Sequence, residues 1–143
     1  MVKDFTFNKK YPLFGTGIDT FMIFFPQNDV LGKLRFLYDP YIIVDKPHNL
    51  YLQISQQMGL LFFFVFVILV AGYIIQSIKI YFNAYFYKEI EVYGLGIFLG
   101  VIGYLSAALF NDSIVSVAPI FWILYGVGIG LNNAISFQNK NKK

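Results

Sequence analysis

The chain has 143 residues, of which 57% are hydrophobic, 20% aromatic and only 13% charged, with a formal net charge of +3. An ordinary soluble domain carries about 25% charged residues, so a water-soluble globule is excluded. The absence of cysteine rules out disulfides, thiol catalysis and cysteine-ligated metals, and with His48 as the single histidine no zinc site is expected from this chain alone.

Residues 1–57 hold most of the polar variety, with six cations and five acids. In Tyr11-Pro12-Leu13-Phe14-Gly15-Thr16-Gly17-Ile18-Asp19-Thr20-Phe21 the Gly-x-Gly predicts a tight turn. Asp19 or Thr20 should then cap a short apolar helix that runs to about Phe25 and ends at Pro26-Gln27-Asn28-Asp29. From Val30 to Asp45, with Arg35 and a Tyr38-Asp39-Pro40 turn, the signals predict loop with short helical pieces. Pro47 pushes Lys46 to extended geometry and suits a helix start, so a helix from about His48 or Asn49 is expected to pass Gln53 and Gln57 and continue into the first span.

No Asp, Glu, Lys or Arg occurs in residues 47–78, 92–111 or 113–139, which leaves uncharged stretches of 32, 20 and 27 residues. A bilayer core of about 30 Å needs roughly 20 helical residues, because every backbone group must be satisfied inside the segment. Spans are therefore predicted at about 59–78, 93–110 and 114–131, giving an all-α integral membrane fold. In Leu60-Leu61-Phe62-Phe63-Phe64-Val65-Phe66-Val67-Ile68-Leu69-Val70 every helical face is apolar, which excludes an amphipathic soluble helix.

Lys79 and Lys88 lie between the first two spans, and Lys140, Lys142 and Lys143 follow the third, whereas the second connection carries only Asp112. The positive-inside bias then makes the first loop and the basic tail (residues 136–143) cytoplasmic, and residues 1–57 extracytoplasmic. No apolar leader precedes that outward segment, which suits the C-terminal piece of a longer protein whose earlier spans did the exporting. The small-residue pairs Gly96 with Gly100, Gly103 with Ala107 and Gly126 with Gly130 predict close helix packing and a larger bundle than this chain supplies. Tyr81, Tyr85, Tyr87 and Tyr93 are expected to form an interfacial belt beside the inner-loop lysines.

His48 is the candidate for chemistry. A neutral imidazole at a helix start can accept a proton from a hydroxyl. Asp45, three residues earlier, is placed to orient the ring, and Asn49, Tyr51 and Gln53 add hydrogen-bonding groups on the same segment. Lys46, Arg35 and the exposed N–H groups of the Gly15–Gly17 turn are candidates for phosphate contact. The bland alternative is that His48 merely satisfies backbone groups near the headgroups while the cations touch lipid phosphate.

Three features in order, Pro12-Leu13-Phe14-Gly15-Thr16-Gly17, then Pro47-His48-Asn49-Leu50-Tyr51-Leu52-Gln53, then Gly59-Leu60-Leu61 opening a span, resemble the C-terminal part of the O-antigen ligase and polymerase family. The similarity extends from about Pro12 to Leu131. It implies a multi-pass glycosyltransferase of the bacterial cytoplasmic membrane, serving polysaccharide or lipopolysaccharide synthesis in the cell envelope. Its donor would be a glycan on a polyprenyl diphosphate, its acceptor a hydroxyl, and it would need neither metal nor cofactor. The family histidine maps onto His48, followed by Asn49 as in the motif. The family's arginines ahead of the Gly-x-Gly turn have no counterpart, since nothing before Tyr11 is arginine and Arg35 falls after the turn. The resemblance thus leaves the diphosphate without an assigned partner, and it implies missing N-terminal transmembrane helices or a partner membrane subunit.

Two other functions compete. A small non-catalytic membrane protein, truncated or a packing subunit, predicts the same helices. A transport or channel element is disfavoured, because no charge lies inside the predicted spans. Nucleic acid is not an expected partner, as no basic run is interleaved with stacking aromatics.

Overall fold

A computed structural model describes residues 13–82 and 89–140. Among them the regular structure is helical: α1 (Phe21–Phe24), α2 (Val30–Leu37), α3 (Leu50–Gln57), α4 (Gly59–Tyr81), α5 (Glu89–Ala107) and α6 (Ala118–Lys140). Three of these, α4, α5 and α6, are long and apolar enough to cross a membrane, so the protein is an all-α multi-pass membrane protein. Side chains such as Phe64, Ile68, Leu99 and Ile123 stay exposed on these helices, a surface that lipid covers and water would not. The chain divides into two compact units, Met1–Val65 with Leu109–Asp112, and Phe66–Ala108 with Ser113–Lys143.

The span ends depart from the charge gaps in instructive ways. The first helix runs on to Tyr81 past Lys79, and the second begins at Glu89 with Glu89 and Glu91 in its first turn. Charge ends a lipid-facing stretch, but not a helix, and acidic residues suit a helix N-terminus. The third starts at Ala118 rather than Ile114, since Pro119, lacking an N–H, is accommodated in a first turn and not in a helix interior. It then extends to Lys140, past Leu131.

The first unit holds α1, α2, α3 and the start of α4. The expected continuous helix from His48 into the first span is broken: α3 ends at Gln57, and Gly59 at φ 88° restarts the helix in a direction open to glycine. A Cβ on Gly59 would strike the Leu13 carbonyl, and one on Gly15, itself at φ 71°, would strike the Gln57 carbonyl. Two backbones cross here in direct contact. Phe21 is buried and stacks on Phe25 with 5.4 Å between ring centroids, while Leu50 is buried at the start of α3.

The second unit packs α5 on α6 and closes on aromatic rings. Tyr104 stacks on Phe121 at 4.4 Å, and Tyr73 meets Tyr125 edge-on at 5.2 Å. Tyr81, expected in an interfacial belt, is instead 1% exposed: its hydroxyl donates to Asn132 Oδ1 at 2.6 Å, and Asn132 Nδ2 donates to Ser77 Oγ at 2.8 Å. Burial of a tyrosine hydroxyl demands such a partner, and Asn132 supplies it. Tyr93 is exposed, and Tyr85 and Tyr87 lie outside the described residues. The glycines of the expected small-residue pairs do not pack against one another's helices among the described residues. Gly96, Gly100, Gly103, Gly126 and Gly130 have open space where a Cβ would stand, whereas Gly94 and Gly128 admit the hydroxyls of Tyr81 and Tyr73.

Candidate functional site

The site begins with an extended segment held in place by one side chain. Gln27 Nε2 donates to the Val44 carbonyl at 2.6 Å and Gln27 Oε1 accepts from Val44 N–H at 3.2 Å, so the amide brackets residue 44 as a neighbouring strand would. Downstream, His48 takes φ 46°, a left-handed geometry that costs a non-glycine residue about 1–2 kcal/mol and turns the chain into α3. Asn49, not His48, is the N-cap: its Oδ1 accepts from Leu52 N–H at 2.9 Å. Asn49 Nδ2 donates to the Leu109 carbonyl at 2.7 Å, which ties the helix start to the connection between the second and third spans.

That tie brings in Asp112. Its carboxylate is almost wholly buried, with Oδ1 at 3.4 Å from His48 Nδ1 and Oδ2 at 3.3 Å from Lys46 Nζ. Both are longer than well-formed hydrogen bonds, and only the Lys46 contact is an ion pair whatever the state of the ring. The His48 side chain is 70% exposed, so the carboxylate sits beneath an open ring. With Nδ1 facing Asp112, Nε2 is the nitrogen free to take a proton, the arrangement in which a carboxylate orients a general base.

Beside this pair lies a cavity of about 660 Å³, lined by α1, α2, α3 and the 44–48 segment. Its walls are mainly apolar, including Phe21, Phe25, Phe36 and Leu52, and its polar lining includes Lys33, Lys46, His48 and Gln56. Asp29 caps α2 by accepting from Gly32 N–H at 2.9 Å, and Lys33 follows on the next turn of backbone, where it is only 6% exposed. Gln56 is 8% exposed and its Nε2 has no hydrogen-bond partner among the described residues.

The residues expected from the sequence therefore separate. His48 and Lys46 come together, both facing the cavity and Asp112. The ring's carboxylate partner is Asp112 and not Asp45, which is exposed; residue 45 lies on the extended segment, while Asn49 pulls the 109–112 connection onto His48. Arg35 is exposed in the last turn of α2, its guanidinium 5.7 Å from the centre of the Phe36 ring, and Tyr51 is half-buried outside the cavity lining. The Gly15–Gly17 turn does not offer free amides throughout: Thr16 N–H donates to Gln56 O at 2.9 Å and Gly17 N–H to Gln57 O at 3.0 Å. The last carbonyls of α3 lack partners within the helix, and the turn provides them. Asn49 is likewise occupied at both ends of its amide.

Asp112, Lys33 and Gln56 escaped the sequence reading. Asp112 had a signal, as the lone charge between two uncharged stretches, on a connection that three spans place on the same side as residues 1–57. Lys33 and Gln56 had none, because their burial is a tertiary fact. Compared with known proteins, the chain matches no family model, no curated protein and no solved structure.

Proposed function

We propose that this chain is the histidine-bearing part of a cell-envelope polysaccharide ligase or polymerase, which transfers a glycan from a polyprenyl diphosphate to an acceptor hydroxyl. The observation that carries the reading is the buried Asp112 carboxylate beneath the exposed His48 ring, beside a cavity with apolar walls. His48 Nε2 takes the proton of the attacking hydroxyl, the hydroxyl oxygen bonds the anomeric carbon, and the bond from that carbon to the diphosphate breaks. The diphosphate leaves with the electron pair and later receives the proton. Because this leaving group is already good, a single base contributing about 10²–10⁴-fold and cations that neutralise the leaving charge are sufficient machinery. Lys79 and Lys88 between the first two spans, and the lysines of the tail, favour a cytoplasmic C-terminus and an outward-facing His48 in the cytoplasmic membrane.

The test is glycan transfer in membranes carrying the full chain with whatever membrane subunits it requires. His48→Ala should lower transfer by about 10²–10⁴-fold at unchanged membrane abundance, and Asp112→Asn should lower it less, through loss of ring orientation. Transfer at the original rate in His48→Ala refutes the base. A non-catalytic packing subunit is the second reading, favoured by the open faces at Gly96, Gly100, Gly126 and Gly130; it predicts that neither substitution alters transfer.

A further inference from the structure

The first unit distributes polarity the wrong way round for water. In α2, Leu31 is 80% exposed and Leu34 and Phe36 are exposed as well, whereas Lys33 is 6% exposed and lines the cavity. A helix bathed in water turns its charge outward and its leucines inward. The rest of the unit repeats the inversion. Ile18, Ile23 and Ile43 stand exposed, while the Gln27 amide turns onto Val44 and the hydroxyls of Thr16 and Thr20 meet at 2.7 Å. Polar side chains inside and apolar ones outside belong to a surrounding without water, because exposed apolar surface of this extent does not stay bare in water.

The same unit contains a stretch whose surrounding is known. Gly15 and Gly59 cross with their backbones in contact, which fastens the 13–17 turn to the first residue of a membrane-spanning helix. The start of that helix leaves Leu61, Phe62 and Phe64 exposed to lipid. Tyr38 and Tyr41 are almost fully exposed, and Arg35 is exposed at the end of α2. Rings with a polar tip and a cation on an apolar stem suit the headgroup boundary.

We infer that α1, α2 and the 41–43 segment are seated in the membrane interface at the end where α4 begins, and that bilayer lipid covers their exposed apolar face. Ile23, Leu31 and Ile43 enter the acyl boundary to about 5–10 Å, the depth of interfacial segments, while Tyr38 and Tyr41 lie among the headgroups. The polar segment ahead of the first span is thus a lipid-docked element and not a solvated loop. This rests on the spanning helices and the exposed side chains, and is independent of glycan transfer.

The chain has no cysteine, so single cysteines can be spin-labelled one at a time. Ile23→Cys, Leu31→Cys and Ile43→Cys are made in the full chain, at exposed positions where no internal packing is lost, and reconstituted in vesicles of phosphatidylethanolamine and phosphatidylglycerol. The measured quantity is the ratio of label collisions with oxygen to those with a water-soluble nickel chelate. Phe64→Cys, about 7.5 Å of helix rise past Gly59, sets the lipid value, and the free label in buffer sets the water value. The three positions should give ratios close to that of Phe64→Cys and several-fold above that of the free label. Ratios equal to the free label's overturn the inference. Labels shielded from both reagents, as under a protein cover, overturn lipid as the occupant. In native membranes a photo-crosslinking side chain at position 31 should give no protein adduct, and a discrete protein adduct there likewise assigns the face to a subunit and overturns the inference.

Discussion

Each unit buries a side-chain amide, and the two are treated in opposite ways. In the second unit Asn132 is 0% exposed and partnered at both ends, accepting from Tyr81 and donating to Ser77. In the first, Gln56 is 8% exposed and its Nε2, on a cavity lined also by Lys33, has no partner among the described residues. A closed polar knot rigidifies the packing of helices, whereas open donors weaken a fold and suit a ligand. The contrast lies in the two amides alone, since the spanning unit also leaves the buried Tyr73 hydroxyl without a partner among the described residues.

Three measurements of thermal or denaturant stability in detergent would break or sharpen that contrast. The largest effect is expected at the joint of the polar unit. Gly59→Ala places a Cβ on the Leu13 carbonyl at φ 88° and should destabilise by about 3 kcal/mol or more, because neither backbone can yield. A smaller change would mean that the α3–α4 corner is loose.

Next come the two amides. Asn132→Ala should cost about 2 kcal/mol by removing the acceptor of the Tyr81 hydroxyl and the donor to Ser77 Oγ, whereas Gln56→Leu should be neutral or slightly stabilising because its Nε2 has no partner among the described residues. Equal losses at both would erase the distinction between a closed and an open unit.

The smallest effect concerns two glycines of α6. Gly128→Ala should cost about 1 kcal/mol or more by crowding the Tyr73 ring, while Gly130→Ala, facing open space, should be neutral or gain up to about 1 kcal/mol in helix propensity. A loss at Gly130 in native membranes that disappears in detergent would reveal a partner on that face.

Much of the architecture was legible in one dimension. The uncharged stretches announced three spans because a charge in hydrocarbon is costly wherever it sits, and the Gly-x-Gly turn, the α1 helix to about Phe25 and the start of α3 near Pro47 follow from local backbone rules. Boundaries slipped where a helix outlasts its apolar stretch, at Lys79, Glu89 and Lys140, and where Pro119 delayed a start. The glycine spacing was visible, but which glycines would be filled was not, since only the position of Tyr73 and Tyr81 selects Gly128 and Gly94.

What the sequence by itself determined is the solvent this protein occupies and the short polar segment that bears His48, because both depend on residues counted along the chain. The tertiary structure alone decided that Asp112 rather than Asp45 faces the imidazole, that the amides of Thr16 and Gly17 close a helix end, and that Gln56 Nε2 stands on a cavity without a partner among the described residues. Those outcomes depend on which distant groups share one small volume, and burial and pairing are properties of that volume rather than of any segment.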